Sequence, residues 1–176
     1  MPEVTISIPP FVAIKFDDKE IDEMVRNVRG RLSPTKKKCG LAPIFEHYAI
    51  NQLGGWRFLY SVKDEVNEGW TYCRLAFMAY TKPCSGACSV YQYFAVNHLN
   101  EWRFLYSTNS NYGRGWTKQD VAFYAYATPQ ENAVPIYAYY AVNSEGGWRY
   151  HYSTNNAVGQ GWTLEGIAFY AFDKDS

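Results

Sequence analysis

The sequence lacks long apolar runs, an excess of either charge, and the leader features of a secreted protein. No hydrophobic stretch approaches the ~18 residues that a membrane-spanning helix needs. The start, MPEVTISIPPF, has neither the basic nor the apolar region of a signal peptide. The 17 basic residues balance the 17 acidic ones, so the net charge is zero, whereas nucleic-acid binding favours a basic surface. We therefore expect no membrane span, no nucleic-acid partner, and a protein that is cytoplasmic or exported without a classical signal peptide.

Motifs of catalysis are also missing. The sequence contains no G-x-S-x-G, no H-E-x-x-H and no P-loop. Its three histidines, His47, His98 and His151, do not recur at equivalent positions of the repeat described below. We therefore predict no catalytic residues, no metal site and no cofactor.

The spacing of the four cysteines does not favour a zinc site, which usually takes two close pairs. The cysteines are Cys39, Cys73, Cys84 and Cys88. In an oxidising compartment, Cys84–Cys88 or Cys39–Cys73 is the expected disulfide. Otherwise free thiols are expected, because disulfides are rare in reducing compartments.

Aromatic residues are abundant, with 6 Trp, 16 Tyr and 10 Phe, and their spacing shows an internal repeat. Trp56, Trp102 and Trp148 are spaced at intervals of 46 residues. The repeats span residues 43–88, 89–134 and 135–176, and twelve positions are identical in all three. A period of this length indicates that each repeat is one supersecondary unit.

Each repeat has the pattern of β-strands. Its first run alternates in hydrophobicity, a turn follows, the run W-R-F/Y-L/H-Y-S alternates again, and a third apolar run ends the repeat. We therefore predict an all-β fold with pseudo-threefold symmetry for residues 43–176. A β-trefoil is the first choice and a β-prism the alternative, because both close the structure and protect its edge strands.

Residues 1–42 do not belong to the repeat. The segments TISI and VAIKF alternate like two short strands. Asp17 with Glu20 has the form of a helix N-cap, and Ile21, Met24 and Val25 follow at helical spacing. We predict an N-terminal extension of two short strands and one amphipathic helix, which is also a candidate surface for homo-oligomerisation.

The repeated polar and aromatic residues around the hairpin turn are the candidate ligand contacts. Sugars pack their apolar face on aromatic rings while polar side chains hold the hydroxyls. Alternation places Tyr91 and Tyr93, and likewise Tyr137 and Tyr139, on the face away from the core. We predict these ligand-binding residues: Asn51, Trp56, Arg57, Tyr91, Tyr93, Asn97, Trp102, Arg103, Tyr137, Tyr139, Asn143, Trp148 and Arg149. A structural role is the alternative, since Trp fills cores and Asn forms turns with its own backbone.

The end of each repeat, GWTLEGIAFYAF in the third, resembles a tandem repeat of bacteria and fungi with the pattern G-W-x-x-E-G-I-A-F-Y. That resemblance implies a cell-wall or glycan-binding role. The family's upstream His is replaced here by Phe58, Phe104 and Tyr150, so no ligand role of that His is carried over. In architecture the chain is more loosely similar to three-repeat β-trefoil lectins.

We therefore expect a non-catalytic, multivalent carbohydrate-binding protein, or lectin, whose partners are glycans or glycoproteins. One alternative is a protein-interaction or inhibitor module that presents its variable loops. Another is a glycan hydrolase with a single site between repeats, centred on His98, Glu101 or Asp120. The third is a structural or storage protein that has no ligand.

Overall fold

A computed structural model describes residues 38–50, 55–98, 100–142 and 148–175, together with four positions nearer the N-terminus. These four, Lys19, Glu23, Arg26 and Asn27, are helical and exposed. The two predicted N-terminal strands lie outside the described residues. The extension of residues 1–42 therefore stays a prediction.

The described residues form nine strands, three from each repeat. They are β1 (Leu41–Ile50), β2 (Trp56–Ser61), β3 (Thr71–Tyr80), β4 (Cys88–Val96), β5 (Trp102–Ser107), β6 (Thr117–Ala125), β7 (Val134–Val142), β8 (Trp148–Ser153) and β9 (Thr163–Ala171). The prediction of an all-β protein is confirmed. In this described part of the chain, no helix is long and apolar enough to cross a membrane.

Hydrogen bonding arranges the strands in antiparallel groups of three. In every group the first strand lies in the middle, giving the orders β2-β1-β3, β5-β4-β6 and β8-β7-β9. The first two groups join through β3 and β6 into a six-stranded sheet, and the third forms its own sheet. Within the described ranges the two sheets do not make a closed barrel.

Single bridges connect the three groups at related positions. Tyr80 pairs with Tyr124, Tyr126 pairs with Tyr170, and Phe172 pairs with Met78. The last two bridges each have two backbone hydrogen bonds of 2.8–2.9 Å. Every group is therefore tied to both others where β3, β6 and β9 end.

Three buried tyrosines join β2, β5 and β8, the second strand of each repeat. Their rings meet edge to face, with centroids 5.3–5.6 Å apart. The Tyr106 hydroxyl donates to the Tyr60 carbonyl, and the Tyr152 hydroxyl donates to the Tyr106 carbonyl. The single proton of the Tyr60 hydroxyl is shared between the Tyr152 carbonyl at 3.2 Å and the Glu46 carboxylate at 2.7 Å. Each hydroxyl also accepts the backbone N–H of that same neighbouring tyrosine at 2.8–2.9 Å. We call this cyclic arrangement of Tyr60, Tyr106 and Tyr152 the tyrosine ring. It satisfies backbone groups that burial would otherwise leave unpaired.

Two further groups of three aromatic side chains continue the core. Phe77, Phe123 and Phe169 are almost fully buried, with centroids 5.6–5.8 Å apart. Beyond them lie Tyr80, Tyr126 and Phe172, at 5.4–6.1 Å. Edge-to-face aromatic pairs add ~0.5–1.5 kcal/mol each beyond the area that they bury. The abundance of aromatics is thus mainly a property of the core.

The cysteine pairing differs from both expected disulfides. Cys39 is bonded to Cys84, and their Cα atoms are 5.3 Å apart. Cys73 and Cys88 are free. The antiparallel pairing of β1 with β3 explains this result, because Leu41 lies opposite Tyr80. Cys39, two residues before β1, is therefore brought close to Cys84 in the segment that follows β3. The spacing of the cysteines in the sequence does not reveal this register.

We predict that Tyr106→Phe lowers the free energy of unfolding by about 2 to 4 kcal/mol, because loss of the hydroxyl leaves buried backbone groups of Tyr60 unpaired. Urea denaturation followed by tryptophan fluorescence measures the change. Tyr137→Phe is the control, since no hydrogen bond joins the Tyr137 hydroxyl to another described residue. Equal, small losses in both variants would show that the tyrosine ring does not stabilise the fold.

Candidate functional site at the hairpin ends

The hairpins β1–β2, β4–β5 and β7–β8 end in the same way. An aliphatic residue pairs with the first tryptophan of the repeat: Ile50 with Trp56, Val96 with Trp102, and Val142 with Trp148. The three aliphatic side chains are 46–52% exposed. Trp102 is 37% and Trp148 is 45% exposed. Each hairpin end therefore presents apolar surface to solvent.

A second aromatic ring fixes the orientation of each of these indoles. Trp56 stacks on Tyr48 at 5.0 Å, and Trp148 stacks on Tyr140 at 5.4 Å. In the second repeat Phe94 takes this place, tilted, at 6.2 Å from Trp102. The indoles are thus held in position by neighbouring rings while part of their surface stays accessible.

The arginine that follows each of these tryptophans lies over an indole. The guanidinium carbon is 4.3 Å from the Trp102 ring centroid for Arg57, 5.6 Å from Trp116 for Arg103, and 5.3 Å from Trp162 for Arg149. Such cation–π contacts are worth ~0.5–2 kcal/mol, depending on how far they are desolvated.

These three guanidinium groups have buried donors without acceptors. The Nε atoms of Arg57, Arg103 and Arg149 are buried and have no hydrogen-bond partner among the described residues, and the same holds for Nη1 of Arg57 and Arg103. Burial lowers the pKa of each guanidinium, and the Glu101 carboxylate opposes this shift in all three. All three groups therefore lie within electrostatic range of one carboxylate. Unpaired buried N–H groups favour a ligand that brings acceptor oxygens.

The second tryptophan of each repeat has a different role. Trp70 packs on Phe104, Trp116 on Tyr150, and Trp162 on Phe58, at 5.8–6.0 Å. Each pair joins one repeat to another. We assign these indoles to packing between repeats.

The chain matches one family model. That model, the domain of unknown function DUF5648, covers residues 67–172, more than half of the chain. The chain belongs to this family. No curated protein and no solved structure is significantly similar to it.

In this DUF5648 domain, two of the predicted ligand-binding residues, Tyr93 and Tyr139, are buried. Tyr93 and Tyr139 are only 2% and 3% exposed, and their hydroxyls donate to the carbonyls of Asn109 and Asn155. Register shifts in the pairing of β4 with β6 and of β7 with β9 break the alternation that placed them on the outer face. The predicted outer-face position is therefore wrong for both.

The equivalent residues Tyr91 and Tyr137 are half-buried. The Lys118 ammonium lies 3.7 Å from the centroid of the Tyr91 ring. This ring is therefore partly covered by the chain's own cation.

The repeated asparagine can be placed in one repeat only. The Asn97 amide donates to the Glu101 carboxylate at 2.8 Å, and its carbonyl accepts the Glu101 backbone N–H at 2.9 Å. This side chain closes the turn of the second hairpin. Asn51 and Asn143 lie outside the described residues.

A buried polar cluster beside the tyrosine ring, formed by Glu46, Arg74 and His151, was not predicted from the sequence. Glu46 is fully buried and accepts hydrogen bonds from Tyr60 at 2.7 Å and from Arg74 at 3.1–3.2 Å. His151 lies 3.4 Å from the Glu46 carboxylate. The sequence does contain a signal, because Glu46 corresponds to Gln92 and Ala138 in the other repeats, and Arg74 corresponds to Asp120 and Gly166.

The charges in this cluster oppose its burial. Burial by itself raises the pKa of Glu46, but His151, Arg74 and the hydrogen bonds outweigh it and lower that pKa below its ordinary value. Burial lowers the pKa of His151. Glu46 is therefore an anion and His151 is neutral near pH 7.

We predict that Glu46→Gln makes the free energy of unfolding depend less steeply on pH below about pH 4.5. Because the pKa of Glu46 is lowered on folding, its stabilisation is complete above about pH 4.5 and is lost as the pH falls through the folded-state pKa. The wild type should therefore lose stability more steeply than the variant below pH 4.5. Urea unfolding between pH 7 and pH 3 measures this difference. Glu131→Gln, a change at an exposed residue, serves as control, and parallel profiles for wild type and Glu46→Gln would contradict the assignment.

Proposed function

We propose that this DUF5648 protein is a non-catalytic, multivalent carbohydrate-binding protein with up to three related sites at its hairpin ends. The observation that carries the proposal is that every hairpin end presents partly exposed apolar surface and that the arginine following its tryptophan has buried N–H groups without an acceptor among the described residues. The partners would be glycans or glycoproteins.

The guanidinium groups supply the polar half of such a site. A sugar offers hydroxyl, ring and carboxylate oxygens, all of which accept hydrogen bonds from N–H donors. Arg103 already has two buried donors in place, and its contact with Trp116 orients the group. A ligand oxygen would satisfy donors whose desolvation has already occurred in the free protein.

The aromatic and aliphatic side chains supply the apolar half. The C–H face of a pyranose packs on a flat aromatic ring, as indoles at binding sites commonly allow. Trp148 and Val142 lie opposite each other at the end of the third hairpin and are both nearly half exposed. Together they offer a surface of the size and chemistry of one sugar ring.

Three weak sites on one body would act together. Linked sites gain by effective concentration when one branched or polymeric glycan reaches more than one of them. The sites are not equal, since only the second hairpin carries Glu101, which binds Asn97. Because the Glu101 carboxylate also acts on the other two guanidinium groups, a neutral glycan is expected to bind better than an acidic one, most clearly at the second hairpin.

We also infer a pseudo-threefold arrangement of the three repeats, closer to a β-prism than to a β-trefoil. Its support is the hydrogen bonding within each three-stranded group, the related single bridges between groups, and the cyclic tyrosine ring. A β-trefoil requires a shared barrel, whereas the described strands form two sheets without one.

The disulfide bears on where such a protein would act. Disulfides persist in oxidising environments, and the Cys39–Cys84 bond joins the segments that flank β1 and β3. This supports a role outside the reducing cytosol and favours export over the cytoplasmic alternative.

We predict that the triple variant Arg57→Lys, Arg103→Lys, Arg149→Lys loses binding to the glycans that the wild type selects on an array. Lysine keeps the charge but not the forked N–H donors, so affinity should fall by at least about tenfold. Single variants should mainly reduce haemagglutination, which depends on the number of sites.

Arg114→Lys is the matched control, because this arginine is exposed and lies outside the hairpin ends. Circular dichroism verifies that all variants are folded. Unchanged glycan affinity in the triple variant, or an array without selective binding by folded wild type, would refute the proposal.

A further inference from the structure

Three related positions beside the tyrosine ring hold different side chains. They are Glu46 in β1, Gln92 in β4 and Ala138 in β7. Glu46 accepts a hydrogen bond from the Tyr60 hydroxyl, and Gln92 donates one to the Tyr106 hydroxyl at 2.8 Å. The Ala138 methyl group can do neither, so within the described ranges the Tyr152 hydroxyl bonds only backbone groups.

The first repeat fills this place with the chain's own guanidinium. Arg74 extends from β3, donates twice to Glu46, and lies 3.4 Å from a ring nitrogen of His151. A guanidinium bound to a carboxylate beside a tyrosine hydroxyl is thus the occupant that this fold already accommodates.

The third repeat leaves the corresponding space open. Gly166 stands where the first repeat has Arg74, and a Cβ atom added to Gly166 would meet nothing within 4 Å. A cavity of about 300 Å³ results. Besides Ala138 and Gly166, its lining includes Leu105, Tyr112, Tyr152, Glu165 and Ile167. This volume is about ten times the space of one water molecule and lies at the lower end for small-ligand sites.

The cavity offers two hydrogen-bond acceptors to a ligand: the carboxylate of Glu165, an exposed residue, and the hydroxyl oxygen of Tyr152. The Glu165 carboxylate has no hydrogen bond or ion pair to another described residue. Its position corresponds to Cys73, whose pKa is raised by burial and by the nearby Glu46 carboxylate, so a longer acidic side chain here reaches toward the place of the missing carboxylate. Among the described residues, the Tyr152 oxygen accepts one hydrogen bond, from the Tyr106 backbone N–H, and a hydroxyl oxygen can accept two.

We propose that this cavity binds a small organic cation, a guanidinium or primary ammonium group, which takes the place that the Arg74 side chain occupies in the first repeat. Its N–H groups donate to the Glu165 carboxylate and to the Tyr152 hydroxyl. The rings of Tyr112 and Tyr152 face the cation, and Leu105 and Ile167 enclose its alkyl part. The site is separate from the hairpin ends and does not depend on their function.

Isothermal titration of the full chain with methylguanidinium chloride, and in parallel with N-methylurea, tests the proposal. The urea has a similar shape but no charge. We expect one saturable site for methylguanidinium and at least about tenfold weaker binding of the urea, because a charged donor bonds a carboxylate more strongly.

Two variants locate the site. Ala138→Gln places the side chain of the second repeat in the cavity, and Glu165→Gln removes the carboxylate charge. Each should weaken methylguanidinium binding by at least about tenfold. Glu131→Gln, at an exposed residue that does not line the cavity, should bind as the wild type does. If Ala138→Gln fails to fold, Glu165→Gln alone decides the outcome.

Three results would overturn the proposal. The first is no saturable binding of methylguanidinium to the folded wild type. The second is equal affinity for N-methylurea, which would show that charge is not recognised. The third is wild-type affinity in Glu165→Gln, which would place any bound cation elsewhere on the protein.

Discussion

The tyrosine ring is the constraint on which the rest of the structure depends. Tyr60, Tyr106 and Tyr152 are fully surrounded by protein, yet each hydroxyl both donates to and accepts from the backbone of another repeat. The strands β2, β5 and β8 must therefore keep one spacing and one register relative to each other. Single bridges at the ends of β3, β6 and β9 repeat that constraint at a second level. The repeats can differ in sequence only at positions that leave both sets of contacts intact.

This constraint separates a conserved frame from variable positions within the chain. Glu46, Gln92 and Ala138 occupy related places, but one completes an ion cluster, one binds a tyrosine hydroxyl, and one opens a cavity. By contrast, the hairpin ends keep the same tryptophan and arginine in every repeat. Identity across repeats supports a shared, multivalent role at the hairpin ends. Difference between repeats marks the places where one repeat has acquired a separate property.

The sequence predicts the all-β fold and the strand positions well, because alternation and the 46-residue period act locally. It fails where pairing between strands decides the outcome. Bulges reverse the faces of Tyr93 and Tyr139, and strand register brings Cys39 to Cys84. The unpaired donors of Arg57, Arg103 and Arg149 depend on packing between repeats, which no periodicity reveals. The cavity arises because Ala138 and Gly166 are small. Their effect becomes visible only when they are compared with Glu46 and Arg74, which occupy the same positions in the first repeat.

The central claim is that the three repeated guanidinium groups hold the glycan. Two-dimensional NMR of protein labelled at arginine Nε, titrated with the strongest glycan from the array, tests it most directly. The account predicts that the Nε–H signals of Arg57, Arg103 and Arg149 shift progressively on binding, while those of exposed Arg114 and of Arg74, which already donates to Glu46, stay in place. Binding that leaves the three signals unchanged would contradict the account and place the glycan elsewhere on the protein.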